Sequence, residues 1–124
     1  MERKMERADI AIIGTGPGGV SAALTAKVRN KNILLIGKKQ MSDKVSKAHQ
    51  IMNYPGLPAV TGADMAKAFE KQLAMMEINI TDSRIGTVYA MGDYFAIQAG
   101  GEVLEAKSVI LACGVVSGKT LPGE

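Results

Sequence analysis

The chain has 124 residues and a mass of 13.1 kDa, room for one domain with a core of its own. With 47% hydrophobic and 22% charged residues it is a globular rather than a disordered sequence, and its longest apolar runs, at 10–13 and 33–36, are strand-sized, well short of the ~18–20 residues of a membrane helix. A net charge of +3 and 4% aromatic residues argue against a nucleic-acid partner, and the single cysteine, Cys113, excludes an internal disulfide, a thiolate metal cluster and a Cys-x-x-Cys pair within this chain.

Residues 1–7 are a charged tail with no apolar stretch behind it, which is not a secretory signal and leads to the expectation of a cytoplasmic protein with no membrane contact. Residues 9–13 form a short, nearly all-apolar run suited to a parallel strand covered on both faces. Gly14, Thr15, Gly16, Pro17, Gly18 and Gly19 follow at once. The alanine-rich stretch 20–29, with Leu24 and Val28 four apart, predicts a helix with one apolar stripe. A second buried strand at 32–36 completes a strand–helix–strand unit of the expected ~30 residues.

Segment 37–48 is polar and lysine-rich and starts as loop. Asn53, Tyr54, Pro55, Gly56, Leu57 and Pro58 must be irregular, because prolines and glycine stop helix and strand alike. Thr61 and Asp64 have the spacing of a helix cap, and Met65, Phe69, Leu73 and Met76 supply that helix with an apolar face. After Ile78 the period changes. A brief strand at 78–80 precedes three short strands at 85–91, 94–98 and 102–106, with Gly92, Asp93, Gly100 and Gly101 in the turns, an antiparallel meander. Residues 108–112 read as a further, separate and buried strand, ending at Cys113 and Gly114.

Gly14, Gly16 and Gly19 stand in a G-x-G-x-x-G pattern, after a strand and at the opening of a helix, the context a dinucleotide site requires. Gly14 permits the sharp turn, Gly16 leaves room for a pyrophosphate, and Gly19 lets the helix pack closely. The helix N-terminus offers amides and a partial positive charge to the phosphates, and Pro17 stands where a missing N–H costs nothing. An acidic residue for a ribose is expected roughly 20 residues further on, but Gly37, Lys38 and Lys39 stand there. Two lysines suit a phosphate better than a diol. That keeps open an NADP-binding module with Lys38 and Lys39 near the 2′-phosphate, alongside a plain solvated lysine pair.

Three segments carry a wider resemblance: the glycine turn with its flanks at 13–23, the Asn-Tyr-Pro-Gly-Leu-Pro loop at 53–58, and Val-Ile-Leu-Ala-Cys-Gly at 109–114. In order and spacing they resemble the thioredoxin reductase family of FAD-dependent pyridine nucleotide-disulfide oxidoreductases, over nearly the whole chain from Ala8. The resemblance implies an α/β, Rossmann-like FAD-binding domain, a parallel sheet with helices plus an antiparallel β-meander, in truncated form. It implies a domain at 8–114 and the start of a linker to an absent second domain at 115–124.

It further implies that Gly14, Thr15, Gly16, Pro17, Gly18 and Gly19 hold the FAD pyrophosphate, that Gly37, Lys38 and Lys39 lie by the adenosine ribose, and that Asn53 approaches the flavin. The backbone of Ile85 would meet the adenine, and Cys113 and Gly114 would run close to the cofactor, with Cys113 a small, mostly buried residue. Ser42, Asp43, Lys44 and Val45 stand where the family commonly has Gly-Gly-Gln-Leu, with Lys44 counted among the cofactor-binding residues. By the same resemblance, electrons would pass from NADPH or another reductant through FAD to a disulfide acceptor such as thioredoxin by way of the absent domain, and this chain alone would be inactive. A homodimer and a ligand-free structural fragment both stay open. His49 has no partner at a useful spacing for catalysis, Tyr54 reads as a packing residue, Asp9 as a strand-end residue, and Lys38, Lys39, Lys44 and Lys47 as a solvated strip.

Overall fold

The computed structural model describes residues 7–40 and 47–114. Strand β1 (Ala8–Ile13) runs parallel to β2 (Ile33–Gly37) on one side and to β6 (Glu102–Leu111) on the other, and β2 runs parallel to β3 (Ile80–Asp82). With β4 (Ile85–Ala90) and β5 (Phe95–Ala99) the sheet order is β3-β2-β1-β6-β5-β4. This is the predicted Rossmann-like α/β class with its antiparallel meander. The chain leaves β1 in one direction and returns to its other side with β6, so the carboxyl end of β1 is the crevice where such sheets take ligands.

The alternation of side chains along each strand divides the core in two. Ile12 and Leu35 face the helices, packing with Val20 and Ala23 of α1 (Pro17–Val28) and Met65, Phe69 and Leu73 of α2 (Gly62–Met75). Their neighbours Ala11 and Ile36 face the other way, onto Ile97, Ala99 and Leu104 of the meander. The meander therefore folds back over the second face of the parallel sheet, and both faces of β1 and β2 are covered, as their unbroken apolar runs demand.

Helix α2 starts where its cap was predicted: the Asp64 amide donates to the Thr61 hydroxyl at 3.1 Å. Thr61→Ala is expected to cost about 1 kcal/mol, measured by urea denaturation, and Thr61→Ser should restore it. At the start of β1, the Asp9 carboxylate accepts from the Asn32 amide at 2.9 Å, and that bond, helped by Lys107, holds the carboxyl below its ordinary range.

Three expectations need correction. Helix α1 begins at Pro17 rather than Val20, and its buried stripe is Gly19, Val20, Ala23 and Ala26, while Val28 is 69% exposed. Small residues let the helix lie close to the strands, and that contact sets its rotation more than the larger Leu24 and Val28 do. The segments 102–106 and 108–112 are one strand, β6, because no glycine or proline interrupts it. It changes partners at Ala106, which is paired both with Phe95 of β5 and with Ala8 of β1. The end of β6 is not buried either: Ile110 is 40% and Leu111 71% exposed, and the main contacts of α1 with the sheet are with β1 and β2. No described helix is long and apolar enough to cross a membrane.

Candidate functional site

The glycine turn is built by two close approaches that only glycine allows. Gly14 has φ +122°, and a Cβ there would lie 1.9 Å from the Ala112 carbonyl oxygen. A Cβ on Gly19 would lie 1.8 Å from the carbonyl oxygen of Gly14, so the helix is docked on the turn itself as well as on Ile12 of the sheet. The turn is held from both sides: the Gly14 amide donates to the Ile36 carbonyl at 2.9 Å, and the Ala112 amide to the Ile13 carbonyl at 2.7 Å.

Gly16 is different in kind. It caps α1 in an extended conformation, and among the described residues no side chain caps the helix and nothing lies within 4 Å of a Cβ at Gly16. Pro17 opens the helix, where its missing N–H is no loss. The first-turn amides, that of Gly18 among them, have no intrahelical acceptor, and the space in front of them is open. A diphosphate suits such a place, since the helix dipole and unpaired amides both favour an anion there.

On the β2 side of the turn, Gly37 ends the strand, and Lys38 and Lys39 follow it, both exposed. The Thr15 hydroxyl donates to the Lys38 carbonyl at 2.7 Å, so the structure brings Gly37 and Lys38 directly against the glycine turn. Ile85 opens β4 three residues after Asp82, which is paired with Gly37. Three residues span at most about 11 Å, so Ile85 stands at this same edge, packed with Ile36 and its neighbours.

The 53–58 loop is irregular, as predicted, and its turn is legible residue by residue. The Leu57 amide donates to the Tyr54 carbonyl at 3.1 Å, Pro55 takes the second position, and Gly56 the third with φ +87°, the pattern of a type II turn. Ile51 and Val60 pair across its base. Tyr54 packs on Phe69, ring centroids 5.4 Å apart, which settles it as a packing residue. Asn53 beside it is exposed. Between this loop, α1 and α2 lies a mainly apolar groove of about 600 Å³, walled by Val20, Leu24, Tyr54, Phe69 and Met75. It does not reach the glycine turn, so the cradle is an open surface feature and the groove a separate one.

Cys113 is exposed rather than mostly buried. Its thiol lies 3.8 Å from the Ile13 carbonyl, at the level of the glycine turn but outside the core, because the chain leaves the sheet at Leu111. Gly114, next to it, has φ +66°. Lys44, with Ser42 and Asp43, lies outside the described residues. Ala112 was missed by sequence reasoning: its carbonyl closes the turn at Gly14, and its methyl is the nearest neighbour to Gly18. Only its small size, in the quoted 109–114 segment, hinted at a close contact. Among the described residues no cluster of three or more potential metal ligands occurs.

A sequence profile of the pyridine nucleotide-disulphide oxidoreductases matches residues 8–124. The chain belongs to that family. It is 37% identical over 109 residues to a thioredoxin reductase of Helicobacter pylori, covering 86% of this chain and 35% of that protein. It is 28% identical over 116 residues to a 34.2 kDa protein in the rubredoxin operon of Clostridium pasteurianum, covering 93% of this chain and 38% of that one. Among solved structures it is similar to a ferredoxin-flavin thioredoxin reductase from Clostridium acetobutylicum, with TM-score 0.90 and 45% identity over 97% of this chain and 42% of that one. A thioredoxin reductase from Lactococcus lactis gives TM-score 0.83 and 26% identity, covering 95% and 39% of the two chains. The chain of this family member thus spans less than half the length of these relatives.

Proposed function

We propose that residues 8–114 are the FAD-holding part of a thioredoxin-reductase-like flavoprotein, one that passes electrons from a reduced donor to a disulfide. The observation that carries this reading is the open space at Gly16 in front of uncapped helix amides, inside a turn whose other two motif glycines are both filled by backbone. The cradle therefore fits a diphosphate. Gly14, Thr15, Gly16, Pro17, Gly18 and Gly19 would hold it. Gly37, Lys38 and Lys39 would lie beside the ribose, the Ile85 backbone at the adenine, Asn53 toward the flavin, and Cys113 and Gly114 along the cofactor. Lys44 belongs to the same proposal.

Bound FAD supplies the redox chemistry, and the residues of this chain bind and orient it. NADPH or another reductant would be the donor and thioredoxin the acceptor, in the cytoplasm, through a domain reached after the linker that 115–124 begins. The chain carries one cysteine and one G-x-G-x-x-G motif, so the 124-residue polypeptide is expected to show no turnover of thioredoxin with NADPH. Measurable turnover would overturn that part of the reading.

The exposed lysines after β2 favour one second reading, an NADP-binding module. Parallel calorimetric titrations of the 124-residue chain with FAD and NADPH separate the two. FAD is expected to bind, and NADPH to bind at least about tenfold more weakly, a difference of roughly 1.4 kcal/mol. The bound flavin should be lost on purification, because the end of β6 beside the cradle is open to solvent. Tighter binding of NADPH than of FAD would transfer the assignment to the second reading.

A further inference from the structure

We propose that Thr15 is a positioning residue that clasps the adenosine side of the cradle to its pyrophosphate side, an inference that rests on the FAD reading above. Two observations on different atoms carry it. The Thr15 hydroxyl is already donated to the Lys38 carbonyl at 2.7 Å, so its proton is spent within the protein. The Thr15 methyl occupies the place where a Cβ at position 37 would sit, 2.7 Å away, with the hydroxyl oxygen at 3.1 Å. Thr15 and Gly37 are thus a matched pair, the branched side chain filling the hollow the glycine leaves.

Branching also makes the clasp stiff. A β-branched side chain has few χ1 choices, and this one is fixed by a hydrogen bond at one branch and a close contact at the other. The backbone bond from Gly14 to Ile36 already joins the glycine turn to β2. Past Gly37, however, the chain leaves the sheet and Lys38 and Lys39 are exposed. The Thr15 bond carries the junction one residue beyond the strand, to the segment proposed to lie along the ribose. It sets the separation between the amides that face a diphosphate and the backbone that faces a nucleoside. Ligands that span both places should feel it, and a diphosphate alone should not.

The test uses the 124-residue chain and its variants Thr15→Ser, Thr15→Val, Gly37→Ala and the double variant T15A/G37A, with ADP and inorganic pyrophosphate as probes and thermal melting as the control. Thr15→Val keeps the shape and the backbone through which residue 15 would face a diphosphate, and removes only the hydroxyl donor. It is expected to weaken ADP by roughly three- to tenfold, the worth of one neutral hydrogen bond, and to leave pyrophosphate within about twofold. Thr15→Ser, which keeps the hydroxyl but loses the stiffening methyl, should weaken ADP less than Thr15→Val does and leave pyrophosphate within about twofold. A merely structural role would lower both ligands together.

Gly37→Ala is expected to lower the melting temperature and to weaken ADP; T15A/G37A should recover most of the melting loss, because the new methyl then finds the space that Thr15 vacated, but not the ADP affinity, because the hydroxyl that makes the clasp is gone. Neighbouring sites that share a contact are non-additive in this way. Equal ADP affinity in Thr15→Val and the parent, or strictly additive melting effects in the double variant, would overturn the clasp. If the parent chain bound neither ADP nor FAD, the FAD reading would fall, while the melting comparison would still decide whether residues 15 and 37 are coupled.

Discussion

Gly14→Ala and Gly19→Ala are each expected to destabilise the domain by about 4 kcal/mol or more, in the extreme tail for single substitutions. At Gly14 the new methyl meets the Ala112 carbonyl at 1.9 Å, and the backbone stands at φ +122°, a region that side chains avoid. Ala112 cannot yield cheaply, because its amide is bonded to Ile13 at 2.7 Å and the strand before it is paired along β1. At Gly19 the methyl meets the Gly14 carbonyl at 1.8 Å. Relief there requires α1 to lift away from the sheet, uncovering Ile12, Val20 and Ala23 of the core. A domain of this size has about 5–15 kcal/mol in all. Urea denaturation followed by circular dichroism measures the loss, and a cost below about 1 kcal/mol at either position would contradict the tight turn described above.

Gly16→Val should do the reverse, preserving the fold and removing the cofactor. The backbone at Gly16 is extended, with φ −79°, a conformation valine adopts readily, and among the described residues, its chain neighbours aside, no atom lies within 4 Å of the site a Cβ would take. The stability cost is that of a poorer helix cap, about 1 kcal/mol. The side chain, however, would stand in the space through which a diphosphate reaches the first-turn amides. Losing one charge-assisted hydrogen bond costs about 1.5–3 kcal/mol, so FAD affinity should fall by roughly ten- to a hundredfold or more. Titration of the folded variant with FAD checks this. Unchanged affinity would remove the pyrophosphate from this turn and with it the functional reading.

The two substitution classes also show how far the sequence could be read. The strands β1 and β2 were legible because continuous apolar runs of this length have few other uses. The Thr61 cap and the Pro55-Gly56 turn were legible because each depends on atoms within three residues of each other. The single strand β6 was not. Its two halves differ in pattern because one pairs with β5 and the other with β1, and a change of partner leaves no local mark. The exposure of Ile110, Leu111 and Val28 was equally hidden, since an apolar residue states a preference for burial but not whether anything stands opposite to bury it.

The local order of residues by itself determined the strand–turn–helix corner, its three glycines at G-x-G-x-x-G spacing, and the kind of anion such a corner suits, because φ freedom, helix dipole and side-chain period are properties of neighbouring residues. Which glycine does what was decided only by tertiary structure. Gly14 is filled by Ala112 from the far end of the chain, Gly19 by the turn's own carbonyl, and Gly37 by Thr15, while Gly16 alone of the three motif glycines faces open space. Steric room is a property of whatever folds against a residue, and those contacts join positions that are remote along the chain.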